Sequence, residues 1–554
     1  MPYHNLAYHS LREHPVLDRP VMANAKRELP TTVCVAAVLF VGLALRLYVI
    51  TDDWSPDAFI YAQHVHHMLQ GTFTLRDDSW YVHRLPVFAP VVAAYAALGV
   101  NVWTTHAWPL LCSMLELVLT MWLGFRLAGR SVGLVAGALL AILPLSVSQA
   151  GCLLADGAIA TLTTLAAVAW IGGRERPDGR SRLLMGLSGV CLALAMVIRV
   201  YAVLLVALYI GDILTRPRTF RDILWPALGG LAVVLPLAAV YRAATGDALY
   251  PLRVVSSAYG QQLAPQAVSL LLYYPSILWH PRTEFALHAW LYAPAIVFAL
   301  VRRERGHVLL LLWALPLLLF LQFGTMSFTA YIPIFKERRF LTVLAAPLSL
   351  LAASMLCTLV PWIRERLRHA HYSRLWRAAL VAGATLLLLA VAADSLFILH
   401  RDRVLHGLQS RQTRAVVALL SAEPGQPILV DHWRTASRLA YFFDFREGAD
   451  LYVGADDRRR MRRDVDPDHG RFQYLCWYPE SERLPAGLVV LEDSVLADAS
   501  RADSTSAGPF FPGEIPAYAY HPPASWHLIR RIGNWRIYRT PSAGGAGPLS
   551  FVAR

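Results

Sequence analysis

Apolar runs long enough to cross a bilayer recur along the first four hundred residues, separated by short polar segments. They begin at about Thr31, His106, Ser131, Gly157, Leu183, Tyr201, Ile223, Ala286, His307, Phe340 and Arg377. A crossing helix needs about 20 mostly apolar residues, so the pattern predicts an α-helical polytopic membrane protein with about 11 transmembrane helices. One more window, "PVFAPVVAAYAALGV" from Pro86, is short and holds two prolines. It reads as a juxtamembrane helix lying at the membrane surface. The pattern changes near Arg401. Short apolar runs such as "PILVDHW" and "AGLVVLEDS" read as strands, while "TRAVVALLSAE" and "TASRLAYFFDF" have helical spacing. The expected organisation is a polar N-terminal tail (1–30), a transmembrane domain (31–400) with a large first loop at about 51–105, and a small C-terminal α/β domain (401–554). The closing "PSAGGAGPLSFVAR" reads as a loose end.

Composition agrees with this pattern. Of the 554 residues 56% are hydrophobic and 16% charged, whereas soluble domains carry about 25% charged residues. The first thirty residues are polar and no small-x-small cleavage site follows the first span, so that span is expected to stay as an anchor. The net charge of +13 does not point to nucleic acid, because the arginines gather in short loops between spans. Those clusters are Arg12, Arg19, Lys26 and Arg27; Arg126 and Arg130; "RERPDGRSR"; "RPRTFR"; "RRER"; and "RERLRHAHYSRLWR". If the Pro86 window does not cross, all of them fall on one side, as the positive-inside rule requires. The N-terminus is then cytoplasmic and the chain beyond His400 extracytoplasmic. The cysteines show neither a disulfide framework nor a metal-type spacing.

On this topology the ionisable stretch "TDDWSPDAFIYAQHVHHMLQG" lies outside, together with Asp156, Arg199, "YRAATGDALYPLR" and "YIPIFKERRF". Carboxylates and cations that converge on the outer rim are either a reaction site or interfacial anchors reaching for water. Asp57 opens a helix after Ser55 and Pro56, so helix capping is an alternative role for it. Arg199 interrupts an apolar run, where it needs either an anionic ligand or a structural partner such as Asp156. His64 and His67 share a helix face, but no dedicated zinc motif accompanies them, and a polar face at headgroup level is the simpler reading.

The order of the motifs resembles that of GT-C membrane glycosyltransferases, in particular the branch of protein O-mannosyltransferases and lipid A aminoarabinose transferases. "ALRLYVI" is similar to the end of that family's first span, and "DAFIYAQHVHHMLQG" to its Asp-Glu-x-x-Tyr loop, with Ala58 in place of the glutamate. "HRLPVFAP", the glycine-rich "GFRLAGRSVGLVAGALLAILPLSVSQAG" and "LLADGAIATLTTLAAVAW" follow in order. So do "TGDALYP" (Ala248 for a proline), "KERRFLTVLAAPLSLLAA" (Phe340 for a tyrosine) and "RFQYLCWYP". The resemblance implies transfer of a sugar from a polyprenyl-phosphate carrier to a glycan, lipid or protein acceptor of the cell envelope, at the outer face of the plasma (inner) membrane. It assigns catalytic roles to Asp57, as general base, and Asp156, and donor-phosphate binding to Arg199, Lys336, Arg338 and Arg339. Tyr61, His83 and Arg84 are then substrate-binding residues. Chemically, an attacking hydroxyl or amine must lose a proton to a nearby carboxylate, and cations must stabilise the departing phosphate. Because Asp57 lacks an acidic neighbour, no cofactor is expected, with a divalent metal as the alternative. Competing readings are a transporter or flippase of lipid-linked sugars, or a non-catalytic scaffold.

Overall fold

A computed structural model describes residues 31–52, 55–77, 79–175, 179–216, 220–260, 272–279, 283–325, 333–334, 336–369, 374–422, 428–430, 433–443, 445, 451–455, 476–479, 488–493, 522 and 524–540. The expected N-terminal tail, the closing segment and the first five residues of "RFQYLCWYP" lie outside them.

Eight helices among the described residues are long and apolar enough to cross a membrane: Thr31–Val49, Val102–Leu127, Ala155–Arg174, Arg180–Ile198, Arg221–Thr245, Arg305–Phe323, Arg338–Ile363 and Val381–Ser421. A ninth becomes possible if Arg130–Ile142 and Pro144–Gly151, bent by 63° at Leu143, count as one. Pro144 explains the bend, since it cannot donate to the preceding turn. Val200–Thr215, Ala286–Arg302 and Leu85–Leu98 are shorter apolar helices. Every expected span therefore falls on an apolar helix, but length and apolarity support eight or nine crossings where the sequence suggested eleven. The chain is a multi-pass membrane protein.

Neighbouring helices of the bundle pack closely along their lengths. Arg180–Ile198 and Leu224–Thr245 approach so closely that a Cβ on Gly189 would lie 1.9 Å from the Pro226 carbonyl oxygen. Small residues at such a seam let backbones meet where lipid offers no hydrophobic drive for association. Within the bundle, the fully buried Arg46 joins three helices. Its Nε donates to Ser113 Oγ (2.7 Å), and its other nitrogens donate to the Gly42 carbonyl (3.1 Å) and Ser146 Oγ (3.1 Å). Each bond satisfies a donor that lipid would leave unpaired. Glu116, a conceivable partner for Arg46, is buried nearby on Val102–Leu127.

The last helix, Arg374–Ser421, runs through residue 400 without a break for 48 residues. At 1.5 Å per residue it is about 70 Å long, more than twice the hydrocarbon thickness, so it leaves the bilayer as a strut. It leads to a six-stranded sheet of order β3-β2-β1-β4-β6-β5, formed by Cys476–Pro479 (β3), Leu451–Ala455 (β2), Ile428–Val430 (β1), Leu488–Glu492 (β4), Trp535–Arg539 (β6) and His527–Ile532 (β5). β1 to β4 pair in parallel, and β4–β6 and β6–β5 are antiparallel. The two apolar runs expected to be strands are β1 and β4, and β4 is buried along its whole length, as a central parallel strand should be. "TASRLAYFFDF" overlaps the helix Trp433–Phe442.

Candidate functional site

Three helix ends meet at one end of the bundle. Helix Pro56–Gln70, started by Pro56 and closed at Gly71 in the left-handed region (φ 71°), carries Asp57 in its first turn. Asp156 lies in the first turn of Ala155–Arg174, and Arg199 ends Arg180–Ile198. Carboxylates at helix N-termini and a guanidinium at a C-terminus each complement the helix dipole. A 3₁₀ turn, Arg338–Leu344, then delivers Arg339 between the two acids.

Arg339 is the hub. One terminal nitrogen donates to Asp57 Oδ2 (2.6 Å), Nε lies 3.5 Å from Asp156 Oδ2, and Nε also donates to Glu337. The Tyr81 hydroxyl donates to Asp57 Oδ1 (2.8 Å). Arg199 stands 3.2 Å from Asp156 Oδ1 with its guanidinium 3.9 Å above the Phe340 ring. Neither Asp156 oxygen accepts an aligned hydrogen bond among the described residues. Its two arginines thus act through charge at short range, without hydrogen-bond alignment. Asp57 does not cap its helix: Ser55 holds the cap position, without a side-chain cap bond, and both Asp57 oxygens are turned to Tyr81 and Arg339.

Burial, and secondarily the Asp57 charge, pushes the Tyr81 phenol well above its ordinary pKa, so it stays a donor to the carboxylate. The Glu337 carboxyl is also raised, by burial first and against the pull of Arg339, with Asp57 and Asp156 adding to the rise. Behind Asp57, Arg84 donates to the Tyr61 hydroxyl (3.1 Å) and lies 5.9 Å from the Tyr81 ring centre, and Tyr61 meets Tyr81 edge-on. Tyr61 and Arg84 therefore support Asp57 through Tyr81.

Of the nine residues singled out from the sequence, Asp57, Asp156, Arg199 and Arg339 come together. Tyr61 and Arg84 stand one layer behind. His83 bonds Tyr241 through Nδ1 (3.0 Å) and packs edge-on against Tyr250. Lys336 donates to the Gln322 carbonyl (2.8 Å), and burial lowers its pKa. Arg338 is half exposed and faces Glu284 at 3.3 Å. Tyr81 was missed by the sequence reading. It carries no motif of its own and is visible only as a neighbour of His83 and Arg84 in "WYVHRLP".

The arrangement does not fit a divalent metal held between the two loop acids, because the Arg339 guanidinium already stands between them. Among the described residues no group of three or more His, Cys, Asp or Glu side chains is placed to hold a metal. His64 packs on Phe73 and Phe88, and His66 stacks on Phe445 at 4.8 Å.

The C-terminal part leans on the same helix. Phe59 meets Tyr441 and Phe442 at 5.4 and 6.3 Å, and Arg438 reaches over Phe59 while pairing with Glu492 at 2.6 Å. Arg414 of the long helix pairs with Asp52 in the segment before Asp57.

No family model matches the sequence, and no curated protein matches it. Solved structures do match in fold. ArnT from Cupriavidus metallidurans in the apo state superposes with a TM-score of 0.62 at 15% identity, covering 92% of this chain and 97% of that one. ArnT from the same organism bound to undecaprenyl phosphate gives 0.61 at 14%, covering 93% and 99%. The Archaeoglobus fulgidus oligosaccharyltransferase tethered to an acceptor peptide gives 0.54 at 11%, covering 85% and 71%. The chain shares its fold with these solved structures.

Proposed function

We propose that this chain is a membrane glycosyltransferase that moves a sugar from a polyprenyl-phosphate carrier to an envelope glycan, lipid or protein at the outer membrane face. The observation that carries the reading is the single cluster in which Asp57, Asp156, Arg199 and Arg339 meet, at one end of the helices. The fold it shares with ArnT, one structure of which holds undecaprenyl phosphate, supports the donor class.

Asp57 is the general base. Its two oxygens keep acceptor capacity beyond the bonds from Tyr81 and Arg339, since a carboxylate offers about four lone-pair sites. The acceptor's hydroxyl or amine gives its proton to Asp57 while its lone pair attacks the anomeric carbon. The bond from that carbon to the carrier phosphate breaks, and Arg339 and Arg199 stabilise the charge gathering on the leaving phosphate. Asp156 holds both guanidiniums in position. The Phe340 ring covers one face of the Arg199 guanidinium.

A strain lacking the chain, complemented with wild type or with Asp57→Asn, tests this reading by mass analysis of envelope glycans, lipids and glycoproteins. Wild type is expected to restore a missing glycan and Asp57→Asn to leave it missing. Full restoration by the variant would remove Asp57 as the base and favour a scaffold. The sidedness is checked separately: Asp77→Cys should react with a membrane-impermeant thiol reagent in intact cells, and protection there would reverse the topology.

A further inference from the structure

The site's charges do not balance. Among the described residues three carboxylates, Asp57, Asp156 and Glu337, meet two guanidiniums, Arg199 and Arg339, in one ion-paired cluster, and Arg84 stands one layer behind it without an ion pair to them. With every group ionised this cluster carries one excess negative charge. On the proposed reading an anionic phosphate must dock against the same guanidiniums. In a water-poor site a like charge within a few ångströms opposes such docking strongly.

The three acids differ in how firmly they are held. Asp156 is 1% exposed, in a helix first turn between two arginines. Asp57 is 13% exposed and fastened by Tyr81 and Arg339. Glu337 is the most open at 27% and sits on extended backbone (φ −129°, ψ 145°) just before the 3₁₀ turn. Its main chain is anchored independently, because the Tyr274 hydroxyl donates to the Glu337 carbonyl (3.1 Å). The side chain can therefore swing away from Arg339 while the backbone stays. Its position on Nε, beside the terminal nitrogen that serves Asp57, completes the carboxylate pairing along that one edge of the guanidinium.

We infer that Glu337 is a stand-in for the donor phosphate: its carboxylate occupies the anion position on Arg339 in the resting protein and leaves when the phosphate arrives. The inference rests on the glycosyltransferase reading and adds a residue that sets donor affinity. Glu337 keeps Arg339 aligned between the two acids when no donor is present, and it makes the site select ligands anionic enough to displace a carboxylate. Loss of its charge without loss of its shape removes the competitor.

The test is direct binding of undecaprenyl phosphate to the purified full chain in lipid nanodiscs at one fixed pH, comparing wild type, Glu337→Gln, Glu337→Asp and Arg339→Gln, each checked for thermal melting. Glu337→Gln is expected to bind about tenfold more tightly than wild type, and Glu337→Asp, still charged, to stay within about twofold of it. Arg339→Gln is expected to lose most binding. A merely structural role for Glu337 would instead lower the melting temperature and weaken binding. If wild type binds, Arg339→Gln does not, and Glu337→Gln binds no more tightly than wild type, the stand-in role is overturned and the donor reading survives. If Glu337→Gln does not fold, Glu337→Ala takes its place with the same expectation. If neither wild type nor any Glu337 variant binds, the donor reading falls and this inference with it.

Discussion

Two buried charge clusters lie at opposite ends of the helix Ala155–Arg174, and they are built differently. At its C-terminal end, Asp212 accepts from Trp170 Nε1 (3.2 Å) and Arg174 Nε (3.2 Å) on one oxygen and from Arg305 (2.6 Å) on the other. Arg174 also donates to Asp222 and to the Arg216 carbonyl (2.7 Å). Among the described residues two acids meet two arginines, and both Asp212 oxygens accept aligned hydrogen bonds. At the N-terminal end three acids meet two arginines, and Asp156 lacks aligned hydrogen bonds among the described residues. A balanced, hydrogen-bonded network ties helix ends together. One with an acid in excess has a carboxylate that an arriving anion can replace. The same helix thus carries a joint at one end and a candidate site at the other.

The largest expected effect separates the two clusters by function. Asp57→Asn should lower sugar transfer by about 10²–10⁴-fold while leaving the melting temperature close to that of wild type, as assayed by transfer of labelled sugar in membranes. The reverse behaviour is expected at the other end. Asp212→Ala strands Arg174 and Arg305, and breaking a buried pair costs about 3–5 kcal/mol, so yield and melting temperature should drop. Transfer per folded molecule should hold. A large loss of specific transfer in that variant would erase the distinction between joint and site.

A smaller effect sharpens the contrast along the pH axis. Helix Pro56–Gln70, which carries Asp57, also holds His64, whose pKa burial lowers to about 3, with the His67 and His83 charges adding to the fall. His67 is likewise lowered to about 4, by burial first and then the His66 charge. Between those values and the ordinary 6.5 the unfolded chain binds more protons, so stability is complete above about pH 6.5 and falls as the pH drops below it. The slope should approach about 1 kcal/mol per pH unit per histidine, and His64→Gln should flatten it, as read from melting temperature between pH 7 and 4. An unchanged slope would mean that His64 is not held neutral by its surroundings.

Much of the fold was legible because membrane insertion depends on local composition. Twenty apolar residues announce a helix whatever lies elsewhere, and Thr31–Val49 and Arg305–Phe323 were read directly. Among the described residues eight or nine of the eleven expected spans are long and apolar enough to cross, and the others fall on apolar helices that are shorter or broken. Leu143–Pro144 bends one window by 63°, and Val200–Thr215 opens with a 3₁₀ turn after the extended Arg199. Hydropathy does not register backbone direction. In the site, Asp57, Asp156 and Arg199 were legible because an ionised group beside an apolar run is costly and demands a reason. Tyr81 was not, since a tyrosine in a polar loop costs nothing until the fold buries it against a carboxylate. The run "KERR" shows the limit most sharply. Its three cations look equivalent in sequence, yet Lys336 reaches the Gln322 carbonyl, Arg338 turns to Glu284, and Arg339 enters the site with Glu337 on its Nε.

The sequence alone determined that this protein is a bundle of membrane helices with a chemically loaded rim, because both properties follow from residues taken a helix at a time. Only the tertiary structure decided which charges share a cluster, since ion pairs 282 positions apart, as Arg339 and Asp57 are, form through packing of helix ends and leave no periodicity in the chain. It also decided that one of the two arginine-rich ends is closed by matched partners and the other is not, a difference of geometry that no residue count records.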